Sequence, residues 1–370
     1  MIYLDHSATS IPKHHEVSDS QNAFSNSANP GRSGYGPAID ASRNVFNSRC
    51  NIAETVNIKD EQGVIFTANA TASLNIAIQG LCSDKPKNIL CSSMEHNAVM
   101  RPLHALSNSK KIKWAHIKED NNNFYDNLKK SMSHDIDFVV LSHVSNVSGR
   151  RIDLKRVSEI IKKFQCLLIV DAAQSFGCEP IDMEGIDILC ASAHKGLRGP
   201  MGIGLLIAQP NIVLRPLLYG GTGSSSTSLD MPSDFPDQLE VGTLNVPGIC
   251  ATGNICSELS NELLQHREKE QQIKRSYLIK YLQKLSKTIK LYSPEIGGSA
   301  VSIDLPNKDI ALIAHDMWKK HQICVRVGLH CSPFSHQNLG TFPKGTLRIS
   351  PSHDTKDSDL DIVIKYLNDL

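Results

Sequence analysis

Between about residue 60 and residue 210 the chain alternates short apolar runs with longer helix-like stretches, and this rhythm decides most of what it can fold into. Strands are expected at 63–67, 88–92, 112–117, 137–142, 166–171, 186–191 and 202–208, with helices at 71–81, 98–107, 126–132 and 153–164. Runs that are apolar throughout suit strands buried on both faces, and intervening helices supply the crossovers of a parallel sheet. The expected fold class is therefore α/β, a mostly parallel seven-stranded doubly wound sheet. Only residues 194–201 separate the last two strands. A parallel crossover takes about a dozen residues or more, so this pair should run antiparallel.

With 370 residues the chain has length for a second domain. Past Pro210 the pattern changes, and 218–228 is rich in Gly, Ser and Thr and reads as loop. Within it, Gly220-Gly221-Thr222-Gly223 lacks the spacing of a phosphate-binding P-loop and reads as an active-site border. One long helix is expected at 248–287, followed by strands at 299–305, 323–327 and 346–349 and helices at 308–321 and 356–370. These imply a large domain, 13–245, and a smaller α+β domain made of 1–12 plus 246–370.

A formal net charge of +1 gives no field that would by itself gather nucleic acid or anionic lipid, and small acidic or zwitterionic substrates stay open. No apolar run approaches the roughly 18 residues of a membrane span, and the N-terminus lacks the basic and apolar regions of an export signal. The ten cysteines are scattered with no CxxC pair, so neither a metal site nor a disulfide framework is expected. A reduced, cytoplasmic protein is expected, with most cysteines serving as small core residues.

The chemistry gathers at strand ends. Lys195, in Ser192-Ala193-His194-Lys195, follows one apolar run, and Asp171, in Asp171-Ala172-Ala173-Gln174, closes the run before it. A lysine can hold an aldehyde cofactor covalently, and an acid can keep that cofactor's ring nitrogen protonated; pyridoxal 5′-phosphate (PLP) suits both. Burial and nearby positive charge would keep the lysine neutral enough to react, and later to act as a general base. Phe66-Thr67-Ala68-Asn69-Ala70-Thr71 runs from a strand into a helix, where small residues and a helix N-terminus suit a phosphate, with the Thr71 hydroxyl as a further donor. His96, in Met94-Glu95-His96-Asn97, would stack on the ring, and Asn146, in His143-Val144-Ser145-Asn146, offers an amide to its phenolic oxygen. Five successive strand ends thus carry polar groups to one sheet edge, where open α/β sheets bind ligands. Thr243, in Glu240-Val241-Gly242-Thr243, offers another phosphate hydroxyl.

In the C-terminal part, Arg326-Val327-Gly328-Leu329-His330-Cys331 sets a cysteine beside cationic groups, which favour a nucleophilic thiol. Arg348, on an expected strand, has the planar fork that grips an α-carboxylate, and Arg326 is the second candidate for that contact.

Taken together with Asn29-Pro30-Gly31-Arg32, these motifs make nearly the whole chain resemble the class V aminotransferase family, and within it the cysteine desulfurases and selenocysteine lyases. The resemblance implies a PLP-dependent homodimer that converts cysteine to alanine and passes the sulfur as a persulfide on Cys331 to an acceptor protein. It implies a Lys195 anchor, Asp171 at the ring nitrogen, His96 stacked on the ring, and Gln174 and Asn146 on the phenolic side. Thr71, Ser192 and His194 would hold the phosphate, joined by Thr243 of a second subunit, while Arg348 would bind the carboxylate. Its short cysteine loop is similar to that of the Suf-type group. The sequence departs from the family pattern at Tyr35, Ala70 and Asp5-His6-Ser7-Ala8-Thr9. Related activities remain as alternatives: selenocysteine lyase, cysteine sulfinate desulfinase, or a C–S lyase or epimerase of another amino acid.

Overall fold

The computed structural model describes residues 1–31, 34–82, 86–109, 112–117 and 123–370; Arg32 of the Asn-Pro-Gly-Arg motif lies outside the described residues. The chain opens with β1 (Ile2–Tyr3), α1 (Glu16–Phe24) and α2 (Gly36–Thr55). It continues through β2 (Val64–Thr67), α3 (Ala70–Leu81), β3 (Lys87–Ser92), α4 (Asn97–Asn108), β4 (Ile112–Ile117), α5 (Phe124–Ser131), β5 (Phe138–Ser142), α6 (Leu154–Ile161), β6 (Leu167–Asp171), β7 (Ile188–Ser192) and β8 (Gly204–Ala208). These strands form one seven-stranded sheet in the order β2-β8-β7-β6-β5-β3-β4. As the short 194–201 link requires, β8 runs antiparallel to β7; it is also antiparallel to β2, so it alone is reversed.

Side-chain alternation on these strands builds two cores, one per face. Val64, Phe66, Val139, Leu141, Leu168 and Val170 face one way, against α2, α5 and α6. Their neighbours Ile65, Phe138, Val140 and Ile169 face the other, against α3 and α4. Both layers are apolar, which is why the central strands read as continuous hydrophobic runs, while the edge strand β4 keeps exposed residues.

Beyond the sheet come α7 (Val246–Ser257), α8 (Asn261–Lys284), β9 (Lys290–Leu291), β10 (Val301–Asp304), α9 (Ile310–His321), β11 (Ile323–Cys324), β12 (Arg326–Gly328), α10 (Pro333–Leu339), β13 (Thr346–Ile349) and α11 (Asp357–Asn368). The single helix expected at 248–287 is two, because Ser260 caps a new helix by accepting from the Leu263 N–H. The strand expected at 323–327 also divides. β11 pairs with β1, while β12 joins the four-stranded antiparallel sheet β12-β13-β10-β9. Ile2 and Leu4 share a third core with Leu278, Val301, Ile349 and Leu360. By contrast, Val246, Ile249, Cys250 and Leu264 pack into the first core, with α7 against α1 and α2. The first core thus extends past residue 245, through α7 and into the start of α8.

Arg275 of α8 clasps the junction of the two parts. It is fully buried, and its guanidinium donates to the carbonyls of Pro294, Gly298, Ala300 and Ser148. Gly149 lets the chain pass this close, with φ of +70°; a Cβ there would meet Ala300 O at 2.2 Å and Arg275 Nη1 at 2.4 Å. Arg275→Ala strands these buried carbonyls, and a urea titration is expected to show a loss of about 3–5 kcal/mol. A loss below about 1 kcal/mol would mean that water replaces the guanidinium without penalty.

Candidate active site

The carboxyl ends of β3, β5, β6 and β7 and the N-terminus of α3 enclose one cavity. It is lined by Ala70, Thr71, His96, Asn146, Asp171, Gln174, Ser192, His194 and Lys195, so nine of the expected residues meet in one place. Asn69 caps α3 by accepting from the Ala72 N–H, which leaves the Thr71 hydroxyl free of the capping role that threonine often takes. The Ala70 and Thr71 backbone N–H groups lie in the first turn, where a helix has no acceptors of its own. In the same lining the Ser192 hydroxyl is buried and has no hydrogen-bond partner. A buried orphan donor in one cavity with a helix N-terminus is what an anion would satisfy.

Lys195 rides on the short β7–β8 link, which is tied down by Ala193 N–H to Ile203 O, Gly199 N–H to Ala193 O and Arg198 N–H to Lys195 O. Its side chain opens partly to the cavity, yet desolvation by the walls lowers its pKa. Asp171 opposes that shift, while Arg348 and Arg326 reinforce it. Asp171 is buried, and one carboxylate oxygen accepts the Ala173 N–H at 2.9 Å. Burial raises its pKa, and that hydrogen bond and Lys195 offset part of the rise. A cationic ring nitrogen nearby would favour the carboxylate further.

His96 caps α4, its Nδ1 accepting the Ala98 N–H at 3.0 Å. Burial, then Lys195 and Arg326, lower its pKa to about 4, so the ring is neutral at pH 7. His194 is lowered to about 4 by burial and then by Lys195 and Lys13, and its Nδ1 lies 3.0 Å from Thr9 Oγ1. Gln174 reaches the cavity, but its amide donates to Ser7 O at 3.0 Å.

Two groups emerge that their sequence motifs left without a role. Glu95 is fully buried; its carboxylate accepts from the Ser92 hydroxyl and from both the N–H and hydroxyl of Ser142, bolting the ends of β3 and β5 together. Burial lifts its pKa to about 7 against these hydrogen bonds. Asp5 pairs with Arg348 at 2.7 Å, so Arg348 is held by an ion pair and by Asn146 O, with Nε left buried and unpartnered.

Arg348, Arg326 and Cys331 stand beside the cavity and not in its lining. Asn146 connects them to it: its Nδ2 donates to His330 O at 2.6 Å and its Oδ1 accepts the Ser332 hydroxyl at 2.8 Å. Within one chain, then, the Asn146 amide engages the cysteine loop. Asn97, next to His96, donates its N–H to Cys331 O at 2.8 Å. Cys331 is the one exposed cysteine of the ten, with Arg326 Nη2 3.6 Å from its Sγ.

Thr243 lies apart, exposed on a loop that Glu240 anchors. Glu240 forms a buried ion pair with Arg49 and accepts the Phe66 N–H of β2. The 220–223 loop borders this second region: Thr222 lines a pocket with Asn29, Gly31 and Glu240, away from Lys195.

Comparison with known proteins gives a consistent result. The family model for aminotransferase class-V matches residues 2–363. A probable cysteine desulfurase of Methanothermobacter thermautotrophicus is 26% identical over 93% of this chain and 88% of its own length. Cysteine desulfurase IscS of Dictyoglomus turgidum is 28% identical over 79% and 72%. The apo structure of a cysteine desulfurase from Thermococcus onnurineus superposes with a TM-score of 0.89 at 25% identity, covering all of this chain and 94% of that one. The seven-stranded sheet, the lysine on its β7–β8 link and the family match over 2–363 converge, and the chain belongs to the class V aminotransferase family.

Proposed function

We propose that the protein is a PLP-dependent cysteine desulfurase that converts cysteine to alanine and carries the sulfur as a persulfide on Cys331. The observation that carries this reading is the pairing of an exposed cysteine, 3.6 Å from Arg326, with a cavity that holds a lysine of lowered pKa.

The residues present fit the cofactor. The N–H groups of Ala70 and Thr71, the Thr71 hydroxyl and the orphaned Ser192 hydroxyl suit its phosphate, with His194 beside them. His96 offers a flat neutral ring, Asp171 a carboxylate for the ring nitrogen, Gln174 and Asn146 the phenolic side, and Lys195 the covalent anchor. When bound, PLP supplies an electron-withdrawing ring that draws charge from the substrate's α-carbon.

The chain's own groups then have distinct tasks. Arg348 and Arg326 hold positive charge near Lys195, and this favours a substrate carboxylate and keeps the amine ready to accept a proton. Cys331 attacks the substrate's sulfur. An S–S bond forms as the C–S bond breaks, the electron pair leaves on carbon, and a proton added there completes alanine.

The exposure of Thr243, together with exposed Tyr35, Ile39, Phe46, Leu218 and Tyr219, supports a homodimer in which each copy lends Thr243 to its partner's phosphate site. Ten scattered cysteines with no CxxC pair suit a reducing cytoplasm, and no helix among the described residues is long and apolar enough to cross a membrane. The sulfur acceptor is a second protein that offers a thiol to the exposed persulfide.

Alanine and sulfide release measured over cysteine, selenocysteine, cysteine sulfinate and cystine tests the reading. Alanine formed from cysteine, with added thiol releasing one sulfide per alanine, is expected. Activity confined to selenocysteine or the sulfinate would reassign the enzyme within its family.

A further inference from the structure

We propose that Ser332 is a positioning residue for Cys331: its hydroxyl holds the Asn146 amide in place, and that amide holds the cysteine loop in its reactive shape. The inference rests on the reading of Cys331 as the sulfur-accepting thiol.

The backbone at this loop is strained. His330 and Cys331 are consecutive non-glycine residues with φ of 48° and 59°, in the left-handed region. Such conformations persist only where the surroundings over-determine them. Here the determinants are few and nameable. Ser332 N–H closes the turn on Leu329 O at 2.8 Å, and Asn97 N–H fixes Cys331 O. The His330 carbonyl is gripped by Asn146 Nδ2.

That last contact depends on which way the amide faces. An asparagine amide turned by 180° would place Oδ1 against the His330 carbonyl, oxygen against oxygen. The His330 carbonyl, which can only accept, therefore selects Nδ2, and the Ser332 hydroxyl completes the arrangement by donating to Oδ1 at 2.8 Å. Ser332 is completely buried, Asn146 is 8% exposed and His330 3%, so water has little room to replace the hydroxyl. Without it, Oδ1 is a buried acceptor lacking its partner, and the grip on His330 weakens. The exposed thiol one residue away then samples orientations away from the cavity, and misplacement of a reacting group by about 1 Å can lower a rate on the order of a hundredfold.

The test compares wild-type holoenzyme with Ser332→Ala and Ser332→Thr by two readouts. Rapid-quench single turnover with cysteine reads persulfide formation on Cys331. Hydrogen-exchange mass spectrometry reads the amides of 329–333. Ser332→Ala is expected to slow persulfide formation about tenfold or more while KM for cysteine stays unchanged. The 329–333 amides should exchange about tenfold faster. Ser332→Thr, which keeps the hydroxyl, should restore both to within about threefold. Wild-type behaviour of Ser332→Ala in both readouts overturns the proposal, as does a loss in Ser332→Thr equal to that in Ser332→Ala. Should wild-type enzyme form no persulfide from cysteine, the desulfurase reading fails on its own; the exchange rates then still decide whether Ser332 holds the loop.

Discussion

Lys195→Ala is expected to lower alanine formation from cysteine by about 10³-fold or more, because it removes both a covalent anchor and a general base. The position offers no substitute. Lys13, which reaches His194 O at 2.7 Å, spans the outer side of the same link and does not line the cavity. Lys195→Arg separates chemistry from charge. It keeps a cation opposite Asp171, but a guanidinium does not lose its proton in proteins and cannot serve as nucleophile or base. Lys195→Arg should therefore be as inactive as Lys195→Ala while binding the cofactor's phosphate through the same α3 N-terminus. Borohydride reduction followed by peptide mass analysis checks the anchor directly: the cofactor mass should appear on the peptide containing Lys195 in wild type and be absent in both variants. Cofactor fixed to another lysine, or a Lys195→Arg enzyme within about tenfold of wild type, would contradict the assignment.

Much of this site was legible in the sequence because its framework is local. Most of the sheet strands are buried on both faces and stand out as apolar runs, and His96, Asp171 and Lys195 lie at or just past a strand's carboxyl end. His96, Asp171 and Lys195 needed nothing more. What stayed hidden depends on strand order and on distant partners. Glu95 acquires its role only because β3 and β5 are neighbours in the sheet, which sets Ser142 beside it across 47 residues of chain. Asp5 meets Arg348 across 343 residues, and the loop partners of Asn146 lie 184 and 186 residues away. Local reading placed the Asn146 amide beside a ligand but could not show that it also engages the cysteine loop. The division of 323–327 into β11 and β12 has the same origin, because their partners, Ile2–Tyr3 and β13, lie at opposite ends of the chain. Thr243 belongs to a third category: within this chain it sits on an exposed loop outside the cavity lining.

Cys331→Ala should abolish sulfur bound to the polypeptide and slow alanine formation from cysteine by about a hundredfold or more, while the absorbance of bound cofactor persists. The prediction is sharp because no other thiol is placed to compensate. Burial pushes the Cys166 and Cys256 thiols up to about 12 and those of Cys178 and Cys250 up to about 11. Cys91 and Cys190, deep in the sheet, are also held well above the usual thiol range by burial. Cys50 and Cys324 are also raised by burial, and Cys82 is buried. Thiols held protonated in the core neither attack a substrate's sulfur nor exchange it with an acceptor. Alkylation of the turnover mixture, read by peptide mass, should therefore find persulfide on Cys331 alone in wild type and on no cysteine in the variant. The same variant sorts substrates. Selenium or sulfinate can depart from the β-carbon without a thiol to receive it, so Cys331→Ala should retain those activities if the wild type has them. Cysteine is the substrate whose sulfur must be taken up. A variant that desulfurates cysteine at the wild-type rate would remove Cys331 from the reaction and leave its exposed loop, with Arg326 beside the thiol, without a catalytic purpose.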